Sequence, residues 1–160
     1  MMACFDRYEN LYDKALEAYC TCNKIKAEDL SDEADNIIIN RACTHIGYYI
    51  TWIIKHNMQG KMHDEYDSED IEKVRNQEKT GVDFFLICCD GKLWDEDLNE
   101  EGLEFTEYYY AGGQYMKDYI NFVLNELYDL PCEFDFSWDD YLKFEVIINK
   151  RYDEFCKNKK

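Results

Sequence analysis

The amino-acid sequence predicts an all-α fold, formed by a single compact domain of about six or seven helices. Three observations lead to this prediction. Apolar residues recur at steps of three and four in several stretches, which is the spacing of one helix face. The composition is that of a folded chain, because 46% of the 160 residues are apolar and 16% are aromatic. No repeat or low-complexity tract divides the chain, whose length is ordinary for one domain.

The first half of the chain contains three predicted helices. Residues 5–22 carry aromatic and apolar side chains at helical spacing. Residues 37–54 are apolar at 12 of 18 positions, yet polar side chains interrupt them, which indicates a helix packed on most sides rather than a membrane span. Asn57 and Gly60 end this helix. After a polar stretch, Ser68 is the predicted N-cap of a short third helix.

The second half begins with an apolar run at residues 84–89, which is too short for its period to distinguish a strand from a buried helix. We favour a helix, because the neighbouring segments are predicted helices. Two more helices are predicted at residues 103–110 and 116–127, and Pro131 terminates the second of them. Ser137 is the predicted N-cap of the last helix.

Charge is the most unusual feature of the composition. The chain has 35 acidic and 18 basic residues, and its formal net charge is -17. Between Asp64 and Glu107 there are 16 acidic and four basic residues, so most of the net charge lies in this central stretch. Such a field repels the phosphates of nucleic acids and anionic lipid headgroups, whereas it accelerates encounter with a basic protein. We therefore expect a basic protein partner, and neither nucleic-acid nor membrane binding.

Eight cysteines raise the question of disulfides or zinc. The N-terminus lacks the basic and apolar regions of a signal peptide, so we expect a cytoplasmic protein with reduced thiols. The pairs Cys20-x-Cys22 and Cys88-Cys89 do not have the C-x2-C spacing of zinc ribbons. No structural metal or other cofactor is predicted.

Two sequence motifs suggest a relationship to other proteins. Residues 44–52 read T-H-I-G-x-x-x-x-W, and residues 90–102 read D-x-K-x-W-x-E-D-L-N-x-E-G. Both resemble a family of small uncharacterised bacterial proteins, a domain of unknown function. The likeness covers about residues 36–155, so within one domain of residues 1–160 the N-terminal helix, in residues 1–30, can be an addition to a core of residues 36–156. Small acidic proteins of this kind also resemble, in size and charge, the immunity proteins encoded beside bacterial toxins.

His45 is the residue best placed for chemistry, because Arg41 and two tyrosines lie within one helical turn of it. A histidine on a buried helix is more often a core residue, with its ring nitrogens bonded to a carboxylate or a backbone carbonyl, and we expect this role. His56 and His63 flank a polar loop but match no metal-ligand spacing. The sequence contains no Gly-rich phosphate loop, G-x-S-x-G or H-E-x-x-H motif, and no catalytic residue is predicted.

The central acidic stretch is mixed with aromatic residues and lacks the ligand spacing of a calcium-binding loop. A solvated acidic face is the ordinary explanation of such a run. Aromatic side chains, however, supply the apolar contacts of protein interfaces. We therefore predict a partner-binding surface that consists of Asp64, Glu65, Asp67, Trp94, Asp95, Glu96, Asp97, Glu100, Glu101, Glu104, Tyr108 and Tyr109.

The leading functional hypothesis is a bacterial immunity-type protein that is not an enzyme. It would bind a cognate toxin through this acidic, aromatic-bearing surface and so inhibit it. One alternative is a helical metal-dependent hydrolase that uses His45 and carboxylates. Another is a phage-type inhibitor whose acidic surface mimics nucleic acid.

Overall fold

In the computed structural model, which describes residues 2–159, the chain forms nine α-helices and one two-stranded antiparallel sheet. The order is β1 (Cys4–Arg7), α1 (Glu9–Asn23), α2 (Asp32–Ala42), α3 (Thr44–Lys55), α4 (Lys61–Tyr66), α5 (Ser68–Arg75), α6 (Gly81–Cys88), β2 (Lys92–Trp94), α7 (Glu100–Phe105), α8 (Gln114–Phe122) and α9 (Trp138–Asn158). Helices make up 71% of the structure, which confirms one mainly helical domain. The helices are more numerous than predicted, and the small sheet corrects the prediction of a purely helical fold.

Helix α3 lies at the centre of the core, and every residue from Thr44 to Ile54 is buried. The prediction of one continuous helix over residues 37–54 is wrong, because α2 ends and α3 begins at Cys43. Ser31 caps α2, whose first turn is acidic and exposed. The break therefore separates an acidic, half-exposed helix from a wholly buried one.

The apolar run at residues 84–89 belongs mainly to α6, so the choice of helix over strand is confirmed. The Thr80 hydroxyl accepts a hydrogen bond from the Asp83 amide, and the Asp83 carboxylate accepts one from the Thr80 amide. This reciprocal cap fixes the start of α6. Helix α6 then packs closely against α3, because a side chain at Gly47 would collide with Val82 and one at Gly81 would collide with the Gly47 carbonyl group.

The sheet joins the N-terminus to the middle of the chain. Cys4 pairs with Trp94, and Arg7 pairs with Lys92, with an irregularity between Cys4 and Asp6. The helix predicted from residue 5 therefore begins only at Glu9, because the preceding residues pair with β2. Helix α1 packs against α2 around a small second cluster of buried residues, namely Ala15, Ile38, Ala42 and Cys132.

The remaining helices differ from the predictions mainly at their ends. The Asn99 side chain caps α7, which starts three residues before the predicted position and passes into a π-helical turn at Thr106–Tyr110. The Ser137 hydroxyl caps α9, as predicted. Ser68 is the first residue of α5 rather than its cap. No helix within residues 2–159 combines the length and apolarity needed to cross a membrane.

The contact between α3 and α6 predicts the effect of a single methyl group. A Cβ atom at position 81 would lie 2.1 Å from the Gly47 carbonyl oxygen and 2.3 Å from Thr51 Oγ1. We expect Gly81→Ala to lower the free energy of unfolding by about 3 kcal/mol or more, because the two helices must move apart. Urea unfolding at neutral pH measures this loss.

Gly113→Ala provides the matched control for that measurement. Gly113 has a φ of +80° and no atom within 4 Å of the added methyl group, so only backbone strain opposes the substitution. We expect a loss of about 1 kcal/mol. Equal losses in the two variants would contradict a close packing of α3 against α6.

Candidate functional site

The two acidic segments predicted to form a surface meet in the structure. A β-bridge pairs Gln59 with Leu98. The Gly60 amide donates to the Asp97 carbonyl oxygen at 2.7 Å, and the Asn99 amide donates to the Met58 carbonyl oxygen at 2.9 Å. These bonds place helix α4 beside the segment that leads into helix α7. We call the exposed carboxylates of these neighbouring segments the acidic surface, which comprises Asp64, Glu65, Glu96, Glu100, Glu101 and Glu104.

Much of the charge on the acidic surface has no cation beside it. Within residues 2–159, no lysine, arginine or histidine nitrogen lies within 4.0 Å of the carboxylates of Asp64, Glu96 or Glu100. Glu104 pairs with Lys159, and Glu101 accepts a hydrogen bond from the Tyr152 hydroxyl. The surface therefore keeps a strongly negative potential, since exposed pairs offset only part of it.

The structure contradicts the prediction that Asp97 and Tyr109 belong to the partner-binding surface. Asp97 is only 4% exposed and Tyr109 is fully buried, so neither can contact a partner. The Asp97 carboxylate is instead bonded to His63 and to the Trp94 amide, and the Tyr109 hydroxyl donates to Asp118 at 2.9 Å. Both side chains are directed into the core because their polar atoms find buried partners there.

The other predicted contact residues differ in exposure. Tyr108 is 46% exposed, whereas Asp67, Trp94 and Asp95 are partly buried. Asp95 accepts a hydrogen bond from the backbone amide of Ala3 at 3.2 Å, so part of its role is structural. The sequence analysis did not select Tyr66, which ends α4 and is 80% exposed. In the sequence, its position between Glu65 and Asp67 in a polar segment already indicated that its ring is exposed.

His45 is a core histidine, as predicted. The ring is 2% exposed, and Nε2 lies 3.0 Å from Asp6 Oδ2. The Tyr110 hydroxyl donates to the same oxygen at 2.5 Å, and the side-chain amide of Asn10 donates to Asp6 Oδ1 at 2.7 Å. A substrate therefore has no access to the ring in this conformation. The carboxylate comes from β1, 39 residues away in the sequence, and spacing rules could not identify it.

The pKa of Asp6 is lowered by its partners. Burial alone would raise this pKa, but hydrogen bonds from His45, Tyr110 and Asn10, together with the charge of His45, lower it to about 2. The folded state therefore favours the ionised carboxylate.

His63 is also buried, which the sequence analysis did not predict. Its Nδ1 atom lies 2.6 Å from Asp67 Oδ2, its Nε2 atom lies 2.9 Å from Asp97 Oδ1, and Cys89 Sγ lies 3.8 Å from Nε2. Burial alone would lower the pKa of His63, but the hydrogen bonds and charges of the two aspartates raise it above its usual value. The i, i+4 spacing of His63 and Asp67 was the one sequence signal for this cluster.

The depressed pKa of Asp6 predicts a pH-dependent effect on stability. Asp6→Asn removes a contribution that is fully present above about pH 4 and is lost as the pH falls through about 2, because the carboxylate is then protonated in the folded state as well. We expect the variant to be less stable than the parent by about 2 kcal/mol at neutral pH.

Urea unfolding across the acidic range tests this expectation. The difference between parent and Asp6→Asn should shrink steadily as the pH falls from 4 towards 2. Asp13→Asn, at an exposed position of α1, is the control and should differ little from the parent. A difference that stays constant over this range would contradict the role of Asp6.

Comparison with known proteins gives one finding. The model of a family described as a domain of unknown function, DUF7832, matches residues 8–134. The match includes α1 and stops before α9, whereas the resemblance in the sequence motifs ran from about residue 36 to 155. No curated protein and no solved structure matches the chain. Because the match covers more than half of its length, the chain belongs to the DUF7832 family.

Proposed function

We propose that this protein is a bacterial immunity-type protein, which binds a cognate toxin through the acidic surface and so inhibits it. The observation that supports the proposal best is the meeting of two acidic segments that are far apart in the sequence. The bridge between Gln59 and Leu98 brings α4 next to the segment leading into α7. The fold thus concentrates like charges, and their mutual repulsion disfavours the folded state. Binding of a positively charged partner would explain why the protein has such a surface.

The energetics of association favour a basic partner. Exposed carboxylates without neighbouring cations, such as Asp64, Glu96 and Glu100, attract a positively charged protein over a distance of about 10 Å at moderate salt. Such attraction raises the rate of association and excludes partners with an acidic surface. Toxins that act on nucleic acids have basic substrate clefts, so an acidic protein that fills such a cleft both associates fast and blocks the substrate.

Tight binding of a toxin needs apolar contacts as well, because complementary charges raise the association rate and the specificity more than the affinity. Tyr66 and Met62 are exposed on α4, and Tyr108 is exposed beyond α7. Tyrosine and methionine are enriched at interfaces, where a few well-packed side chains supply most of the binding energy. Tyr66 is the strongest candidate of the three, since most of its ring is free of contacts within the domain.

Co-expression with the protein encoded by the neighbouring gene tests the proposal. If that protein is a toxin, its expression alone should stop growth, and co-expression of this chain should restore growth and yield a stoichiometric complex. A neighbouring product that is harmless and does not co-purify contradicts the proposal. Inhibition of an unrelated nucleic-acid-binding protein, with no such complex, would favour the alternative of a nucleic-acid mimic.

Charge reversal tests the proposed surface. The triple variant Asp64→Lys, Glu96→Lys and Glu100→Lys should fold, because these side chains are exposed, form no ion pair within residues 2–159 and lose only the hydrogen bond from the Gln59 side chain to Asp64. We expect its association rate with the toxin to fall at least about tenfold at low salt and to depend less on salt. Stopped-flow measurements at two salt concentrations give both quantities.

The matched control reverses three exposed carboxylates elsewhere, as Asp13→Lys, Glu17→Lys and Glu126→Lys. It changes the net charge by the same amount, so a loss of association in both triple variants would indicate net charge alone. If the surface variant associates and protects as well as the parent, then the acidic surface is not the interface.

A further inference from the structure

Three side chains of different chemistry converge in the interior next to the acidic surface. His63 comes from α4, Cys89 follows the end of α6, and Asp97 ends the 3₁₀ turn at Asp95–Asp97. All three are buried, and their ligand atoms lie within 4.8 Å of one another. None of these three side chains is itself part of the acidic surface, because all three are buried.

The donor set matches a transition metal. Imidazole nitrogen, thiolate sulfur and carboxylate oxygen are the three ligand types of zinc, and sulfur and nitrogen select against magnesium and calcium. Around one tetrahedral zinc ion, such atoms stand about 3.3–3.6 Å apart. The observed separations are 2.9 Å from His63 Nε2 to Asp97 Oδ1 and 3.8 Å to Cys89 Sγ, so small side-chain adjustments give this geometry.

The surrounding groups would orient the ligands. The carboxylate of Asp67 lies 2.6 Å from His63 Nδ1, so it can hold a proton on that nitrogen and leave Nε2 free for a metal ion. The Trp94 amide donates to Asp97 Oδ2 at 2.6 Å, which leaves Asp97 Oδ1 for the metal. Carboxylate–histidine–metal arrangements of this kind are common around protein zinc sites.

A buried polar atom without a partner lies close to the cluster in the fold. Among the described residues, no donor is bonded to the buried side-chain oxygen of Gln59. Gln59 forms the bridge to Leu98, directly after Asp97, and its amide nitrogen donates to Asp64, directly after His63. Buried carbonyl oxygens are nearly always hydrogen-bonded. Gln59 Oε1 is thus an acceptor that still needs a donor in the part of the fold that holds the cluster.

We propose that His63, Cys89 and Asp97 form a zinc-binding site that ties α4, the end of α6 and the turn before α7 together. Binding of the ion displaces the proton of the Cys89 thiol and the proton that His63 Nε2 shares with Asp97, so about two protons are released for each ion. With three protein ligands, the fourth position of the ion would be left to a water molecule, and the ion would stabilise the contact between the three elements.

A second group of possible ligands lies next to this cluster and is a weaker candidate. Asp67, Asp70 and Cys88 also lie within 4.8 Å of one another. Asp70, however, is already paired with Lys79 at 2.6 Å, and the Cys88 thiol donates to Asp70 at 3.7 Å. Lys79 therefore already neutralises Asp70, and Cys88 is the matched control for Cys89.

The test uses the full chain, stripped of metal with a chelator and kept reduced. Addition of Zn²⁺ at a hundredfold excess over its Kd should raise the Tm by about 5 °C or more, whereas Mg²⁺ should not change it. Titration with Co²⁺ should reach about one ion per chain and give the absorption of a thiolate-bound cobalt ion. Cys89→Ser should weaken zinc binding at least about tenfold, and Cys88→Ser should not.

A measurement on the parent protein covers the case in which Cys89→Ser fails to fold. Alkylation in urea just below the unfolding transition, where the buried Cys89 becomes transiently accessible, followed by mass spectrometry, should show that Zn²⁺ protects Cys89 and leaves the reactivity of the exposed Cys22 unchanged. The proposal is overturned if Zn²⁺ neither raises the Tm nor protects Cys89, because the cluster is then only an imidazolium between two carboxylates. It is equally overturned if parent and Cys89→Ser bind zinc with the same affinity.

Discussion

The complete burial of α3 is the constraint on which the rest of the structure depends. A helix surrounded by protein satisfies its own backbone, but its longer polar side chains reach away from it and find their hydrogen-bond partners in other elements. Three such contacts are His45 with Asp6, Tyr49 with Thr106 and Trp52 with Asn149. Asp6 lies in β1, Thr106 lies in the π-helical turn after α7, and Asn149 lies in α9. The polar side chains of α3 thus determine where three distant segments attach to the core.

The contact between His45 and Asp6 affects the positions of more segments than the other two contacts. Asp6 lies in β1, so its bond to His45 holds the N-terminal strand against the core. That strand pairs with β2, which leads through the turn at Asp95–Asp97 into α7. A buried ionised carboxylate loses the hydration that water gives, and only several good hydrogen bonds offset this cost. The position of the acidic surface therefore depends on a buried hydrogen bond between β1 and α3.

The sequence predicted the local structure better than the long-range contacts. The cap at Ser137 follows from capping rules, which act over a few residues, and helix α6 was predicted from the helices on either side of it. The strand Cys4–Arg7 could not be foreseen, because its partner lies almost ninety residues away in the chain. The break at Cys43 also has no marker, since the sequence contains neither glycine nor proline there.

In the candidate site, too, the sequence predicted local features but not long-range contacts. The excess of carboxylates between residues 64 and 107 identified the acidic segments, and the fold brings two of them together. Within the run, however, nothing in the sequence separates Asp97, which is buried, from Glu96, which is exposed. That difference arises from the bond between Asp97 and His63, which is a tertiary contact across 34 residues. Composition can thus locate an acidic segment but cannot assign its individual side chains to surface or core.

The cluster around His63 also bears on how the domain tolerates its charge. Asp67 and Asp97 are carboxylates of the most acidic part of the chain, and both approach one imidazole ring. With two negative groups at this distance, their mutual repulsion in a poorly hydrated interior must be offset by a positive charge between them. A proton on each nitrogen of His63 supplies one positive charge, and a zinc ion that displaces about two protons would leave the net charge of the cluster unchanged. Because the same two segments continue into Asp64 and Glu96, a cation at this place opposes the repulsion that the acidic surface builds up above it. The positive charge that Asp67 and Asp97 favour on His63 therefore lowers the electrostatic repulsion among the carboxylates of these two segments.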